Sequence, residues 1–311
     1  MNVIYKYIKY ATELLTNNDK RFLYLASHGF FDNMADITYI SKMFKARMNK
    51  TLNLDNPITY NEKLQWLKIF DRNPIYTIMA DKYLVKEYVE QIIGKEYIIP
   101  TIGVWDRAND INFDLLPNKF VLKCNHNSGI GMCICKDKGI LKETQVKKRL
   151  DKGLQQDYYL TLREWPYKNI QRKIIAEKYI GDAPNDYKFY MFNGKMDSVM
   201  VCTDRDKGHA VFRFYDKEWN RIFYQKMEPS NDVEKPENLE KMIEIAEKLS
   251  KGYPHIRVDL YNQNGKIYFG ELTIFNQGGF DTDITYGTDI KWGKLLDLNL
   301  AINWVKDILL K

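Results

Sequence analysis

Two Asn–Gly pairs, Asn193–Gly194 and Asn264–Gly265, each interrupt a run of strand-forming residues, and they constrain this chain more than any other feature. Asn–Gly suits a two-residue hairpin loop because both central residues must take positive φ. Around the first pair, DYKFYMFN (186–193) and MDSVMVCT (196–203) read as antiparallel neighbours; around the second, HIRVDLYNQ and KIYFGELT do. KIIAEKYI (173–180) and AVFRFY (210–215) add strand patterns beside them. An earlier pair, KFVLKC and MCICKD, flanks the loop NHNSGIG. The middle and end of the chain are thus committed to antiparallel sheet.

The front is helical. Thr59 and Glu62 form a capping box after Pro57, and Leu64, Leu67 and Ile69 begin an apolar face. One helix is expected over IYTIMADKYLVKEYVEQII, stopping at Gly94. A polar helical stretch interrupted by Pro166 follows the first hairpin. KPENLEKMIEIAEKLSKG reads as a helix with Pro near its start and Gly252 after its end. The amphipathic LLDLNLAINWVKDILL closes the chain. The expected class is α+β.

Composition narrows the partners. A chain of 311 residues that is 45% hydrophobic and 28% charged has a real core, which excludes a disordered chain or a collagen-like fibre. Nothing approaches the roughly 18 apolar residues of a spanning helix. The opening MNVIYKYIKYATELL has no apolar h-region, so a cytoplasmic location is expected. The charge of +6 is not gathered into a basic stripe, and no nucleic-acid partner is expected. Cys124, Cys133, Cys135 and Cys202 form no CxxC pair or Cys/His set and read as core thiols of a reducing compartment.

Two segments carry chemistry. In VLKCNHNSGIGMCICK, Lys123 ends a strand before a loop whose backbone N–H groups can wrap a polyphosphate, although glycines in a hairpin loop also serve as plain turn residues. In RVDLYNQNGKIYFGEL, Asp259 stands five residues before Asn264 and Glu271 six after Gly265, so they are nearly opposite. Facing like charges destabilise a hairpin, and half-buried carboxylates need a cation. Mg²⁺ held by one or two carboxylates plus substrate phosphates supplies it. Arg257 supplies it equally well in an Arg–Asp–Glu ladder, and spacing leaves both open. His126 in the loop and Arg205 in TDRDKGH are further polar candidates or ordinary loop residues.

The runs NEKLQWLKIFDRNPIYTIMADKY, IIP, FVLKCNHNSG, DYKFYMFNGK, FYDKEW and RVDLY…GKIYFGELT, from about Asn53 to Gly279, resemble the TupA-like branch of the ATP-grasp superfamily. The last block is also similar to the metal-binding hairpin of D-alanine–D-alanine ligases. The resemblance implies an ATP-grasp fold: two α+β lobes clamping ATP, preceded by a helical N-terminal region. It divides the chain into that region (1–118), a lid with hinge (119–180), a base with the metal site (181–290) and a terminal helix (291–311).

The resemblance also assigns roles, with ATP and Mg²⁺ as cofactors. Lys82, of the pair Asp81–Lys82 on an early helix, and Lys123 reach the phosphates, under the loop formed by Asn125, His126, Asn127, Ser128 and Gly129. Glu177, Lys178, Tyr179 and Ile180 form the hinge against adenine. Asp186 takes the ribose, and Lys188 points the same way. Asp259 and Glu271 hold metal with Arg257 near the transferred phosphate, and Arg205 meets the γ-phosphate or an acidic substrate. The ligases place Asn two residues after the Glu; here Thr273, a weaker ligand, stands there, with Asn276 further on. The implied activity is an ATP-dependent carboxylate–amine ligase working through an acylphosphate. Its implied task is joining an amino acid or peptide to an acidic sugar of bacterial cell-surface polysaccharide, peripheral to the membrane. A glycosyltransferase of capsule or exopolysaccharide assembly, a glycan kinase and a non-catalytic ATP-binding module are the competing readings.

Overall fold

The computed structural model describes residues 5, 12–182, 184–204, 210–227 and 229–301. Arg205 and the end of the expected terminal helix (302–311) lie outside the described residues, as does most of 1–11. Helices α1 (Asn18–Ser27) and α2 (Asp36–Met48) pack through Phe22, Tyr39, Met43 and Phe44. Helix α3 (Tyr60–Phe70) opens with both bonds of the Thr59–Glu62 capping box. Leu64 and Leu67 are buried and Ile69 is half-buried, but Asn61, Gln65 and Lys68 are fully buried too. Their spacing puts these three polar residues on one face. That face grips the loop after the last strand of the base. Asn61 bonds Asp281 and Asp289, Gln65 the carbonyls of Gly278 and Gly279, and Lys68 the Gly278 carbonyl.

The single helix expected over residues 75–93 is two: α4 (Ile75–Ala80) and α5 (Leu84–Ile93). Asp81 breaks it. Its backbone is extended (φ −79, ψ 110), and its side chain accepts from the Tyr83 N–H at 2.8 Å and the Leu84 N–H at 3.3 Å. Aspartate competes with helical hydrogen bonds in this way. The break moves Lys82 off a helix and against the lid loop, where its N–H bonds the Asn125 carbonyl.

The lid is a four-stranded antiparallel sheet of order β1–β4–β2–β3, with β1 Thr101–Trp105, β2 Phe120–Cys124, β3 Met132–Cys135 and β4 Ile174–Lys178. Since β1 pairs with β4, the lid starts near Thr101 rather than at 119. The short TIGVW strand carries no turn signal of its own in the sequence. Helix α6 (Glu143–Gln155) covers the sheet with Val146 and Leu150. The short α7 (Tyr159–Leu162) and a 3-10 turn around Pro166 follow. Cys133 and Cys135 share the buried face of β3, as expected of core thiols.

The base is a six-stranded antiparallel sheet of order β10–β9–β5–β6–β7–β8. Its strands are β5 Asn185–Phe192, β6 Lys195–Thr203, β7 Val211–Tyr215, β8 Arg221–Ile222, β9 His255–Gln263 and β10 Lys266–Thr273. Both Asn–Gly pairs have positive φ and make the predicted turns. Helix α8 (Leu239–Ser250) packs its apolar face on this sheet. Helix α9 (Tyr286–Leu295) packs on α3 and buries Trp292, so it straddles the boundary expected between 290 and 291.

Candidate active site

In the lid, Glu177 on β4 is almost wholly buried and is gripped by Lys123 at 2.7 Å from β2 and Lys86 at 2.6 Å from α5. Burial alone raises such a carboxyl, but the two lysines outweigh it and hold Glu177 below its ordinary pKa. Lys82 donates to the Asn127 carbonyl at 2.6 Å. Burial lowers its pKa, offset by Glu271 of the base and Glu177 of the lid, so Lys82 stands between the two sheets.

The loop after β2 is braced from inside. Asn125 donates to Asp81 and the Gln171 carbonyl, His126 Nε2 meets the Gln156 carbonyl, and Asn127 donates to Gly153. Gly131 (φ +76) packs so closely on Gly153 that a Cβ there would stand 2.9 Å from the Gly153 Cα. Only Ser128, Gly129 and Ile130 are exposed at the tip. The side chains of Asn125, His126 and Asn127 are therefore engaged in shaping the loop. Burial lowers the His126 pKa.

The base carries its polar residues in two rows across three strands. Lys188, Asp259 and Glu271 are cross-strand neighbours on β5, β9 and β10; Tyr190, Arg257 and Thr273 form the next row. A regular two-residue hairpin pairs Asp259 with Gly270 and turns Glu271 to the opposite face. A bulge between Phe269 and Glu271 absorbs the odd residue and restores Glu271 opposite Asp259. Gly270 permits it: a Cβ there would lie 3.0 Å from the Asp259 carbonyl oxygen and 3.1 Å from the Tyr261 ring.

Asp259 is buried between cations. Arg257 reaches both its oxygens, at 2.7 and 2.9 Å, and Lys188 bonds it while pairing with Asp186 at 2.8 Å. Burial alone would raise its pKa, but Arg257 and Lys188 more than offset this and lower it. Arg257 also bonds Thr273 at 3.0 Å and the Asn276 side-chain oxygen. Arg257 thus engages its guanidinium with Asp259, Thr273 and Asn276 inside the base. Thr273 donates to Glu271 at 3.2 Å. Among the described residues, that hydroxyl is the only hydrogen-bond partner of the Glu271 carboxylate.

The four-stranded lid thus carries a lysine-gripped glutamate and the six-stranded base an Arg–Asp–Lys cluster, with Lys82 under the influence of carboxylates from both. The model of the TupA-like ATPgrasp family matches residues 62–297, which span both sheets. The chain belongs to the TupA-like ATP-grasp family. Solved ATP-grasp proteins overlap it loosely. D-alanine–D-alanine ligase from Helicobacter pylori is 15% identical with TM-score 0.43, over 78% of this chain and 68% of that one. The same enzyme from Bacillus anthracis, complexed with ATP, is 18% identical with TM-score 0.45, over 74% and 68%. N5-carboxyaminoimidazole synthetase from Staphylococcus aureus, complexed with ADP, is 13% identical with TM-score 0.38, over 63% and 45%. Curated protein sequences give no match. The family match, not these overlaps, places the chain.

Within the ATP-grasp fold, the structure brings Lys82, Lys123 and Glu177 to the lid side of the cleft and Asp186, Lys188, Arg257, Asp259, Glu271 and Thr273 to the base. Lys178 ends β4, and Tyr179 and Ile180 follow it into the connection to the base. Lys86 and Glu164 were missed from sequence. Lys86 looks like one more helix lysine, and only the packing of α5 beside β1, where it bonds the Ile99 carbonyl and Thr101, reveals its role. Glu164 lies in a stretch without periodicity, and no local signal marks it.

Proposed function

We propose that the protein is an ATP- and Mg²⁺-dependent carboxylate–amine ligase that activates an acidic sugar, a uronic acid, as an acylphosphate and transfers it to an amino acid or peptide. The observation carrying this reading is the opposite charge of the cleft walls. Lys82, Lys86 and Lys123 outnumber Glu177 and Asp81 on the lid side; Asp186, Asp259 and Glu271 outnumber Lys188 and Arg257 on the base side. A triphosphate fits the first wall, and cations fit the second.

The residues fit both groups. The backbone N–H groups of His126, Asn127, Ser128 and Gly129 make no hydrogen bond to the described protein and can meet phosphate oxygens beside Lys82 and Lys123. Glu271, with Asp259 as second carboxylate and Thr273 as hydroxyl, offers the hard oxygen donors that suit Mg²⁺. Among the described residues no three His, Cys, Asp or Glu gather into a cage. Asp259, Glu271 and Thr273 would therefore hold the ion as a small set of oxygen donors rather than as a cage of protein ligands. Bound there, Mg²⁺ supplies charge neutralisation to the phosphates.

The reaction then divides between the walls. The substrate carboxylate attacks the γ-phosphorus, the bond to ADP breaks, and an acylphosphate forms. Lys123 and Lys82 offset the charge on the transferring group, the largest task in phosphoryl transfer. Lys188 and Arg257 hold Asp259 fixed in the row with Glu271. The loop Ser128–Ile130 closes over the site and excludes water, which otherwise hydrolyses the acylphosphate. The amine displaces phosphate, breaking the carbonyl–oxygen bond and forming the amide as it loses a proton. The family's link to cell-surface polysaccharide supports the acidic-sugar substrate and a peripheral place beside membrane-bound machinery. No helix among the described residues is long and apolar enough to cross a membrane.

The test is incubation with ATP, Mg²⁺, glucuronic acid and hydroxylamine. The ligase releases ADP and phosphate and accumulates hydroxamate. ADP with a phosphosugar and no free phosphate would make it a kinase. A nucleoside diphosphate released only from a sugar nucleotide would make it a glycosyltransferase.

A further inference from the structure

Glu164 follows α7 at a sharp change of direction. Arg163 before it is left-handed (φ 58) and anchored to the carbonyls of Phe31 and Asp32 at 2.8 and 2.9 Å, and Pro166 follows. Glu164 is only 7% exposed, yet its carboxylate has no hydrogen-bond or ion-pair partner among the described residues. The charged groups around it are Lys68 on α3, Glu271 on β10 and Arg257 on β9. Lys68 is committed to the carbonyls of Leu162 and Gly278, and Arg257 to Asp259. Two tyrosines complete the surroundings. Tyr158 and Tyr167 stand edge to face, ring centroids 4.7 Å apart, within the influence of both Glu164 and Glu271.

A buried carboxyl without a hydrogen-bond partner either takes up a proton, and burial pushes Glu164 up to about 7, or is held ionised by a cationic ligand. A carboxylate among tyrosine hydroxyls suits an organic ammonium, which gains an ion pair with the phenol oxygens as further acceptors. We propose that Glu164, flanked by Tyr158 and Tyr167, is the subsite that receives the ammonium group of the amine substrate, next to Glu271. This deepens the ligase reading and rests on it.

Glu164→Gln keeps the shape and removes the charge. Titrating glycinamide calorimetrically, with Mg²⁺ and a non-hydrolysable ATP analogue present, reads the subsite without turnover. Wild type binds, and E164Q binds about tenfold or more weakly, as expected for losing a charge-assisted contact. Glu164→Asp recovers part of the difference. Equal affinities, or no binding to wild type, would overturn the subsite whatever reaction the enzyme performs. In turnover, E164Q raises the KM for glycinamide more than the KM for uncharged hydroxylamine. Parallel loss of both activities would overturn the assignment by making Glu164 a structural group. Absence of hydroxamate from wild type sinks the ligase reading alone, and the binding titration still decides on Glu164.

Discussion

Glu177 in the lid and Asp259 in the base are alike at first sight: each is a buried strand carboxylate, held below its ordinary pKa by two cations. Their settings differ. Glu177 draws its cations from two elements, β2 and α5, with a third lysine nearby; Asp259 shares Lys188 with Asp186 and stands beside Glu271. The same local device therefore leaves one wall of the cleft positive and the other negative. Around Glu177 lysines outnumber the carboxylates, whereas around Asp259 carboxylates outnumber the cations.

This contrast predicts unequal costs. Asp259→Asn strips the shared carboxylate from two nearly buried cations and should destabilise the protein by about 3–5 kcal/mol in urea unfolding. Lys123→Met should cost far less, since Lys86 still neutralises Glu177 and Lys123 is partly exposed. Equal losses would erase the distinction between the walls.

Each sheet's region also holds a buried histidine, and the base one is the more sensitive probe. His255 meets the Met191 carbonyl and the Tyr60 hydroxyl, and burial pushes its pKa down to about 3. A base depressed in the folded state gives stability that is present above its unfolded pKa of about 6.5 and lost as pH falls toward the folded value. Between pH 7 and pH 5 that loss is about 2 kcal/mol, at ~1.4 kcal/mol per unit. His255→Gln should flatten the unfolding free energy against pH by that amount, and an unchanged slope would contradict it. Gly270→Ala is the mildest test. Crowding the Asp259 carbonyl at the bulge should cost about 1–2 kcal/mol and slow turnover by displacing Glu271. Full activity would show that the bulge does not set the site.

Much of this was legible in the sequence where the signals are local. The capping box at Thr59–Glu62, both Asn–Gly hairpins and the opposition of Asp259 and Glu271 follow from turn chemistry and strand spacing. Even the bulge was latent: five residues on one side of the turn against six on the other, with Gly270 between. What stayed hidden depends on contacts remote in sequence. Asp81 breaks a helix that periodicity joins, because its carboxylate outcompetes the helical bonds and Asn125 stabilises it from the lid. Lys68 sits in the polar face of α3, which is readable as solvent-facing until the loop at Asn276–Gly279 is seen to cover it. Glu164 needed the three-dimensional fact that no described residue hydrogen-bonds or ion-pairs with its carboxyl group.

The division of labour between the walls is tested most directly by calorimetric titration of ATP into wild type, Lys123→Met and Glu271→Gln, each with and without Mg²⁺. Wild type should bind ATP and bind it more tightly with Mg²⁺. K123M should lose roughly 10–100-fold in both conditions, as for a charge-assisted phosphate contact. E271Q should keep the metal-free affinity and lose the Mg²⁺ enhancement. If the two variants lose affinity alike, or Mg²⁺ changes nothing in wild type, the cleft does not divide anion from cation as its charges indicate.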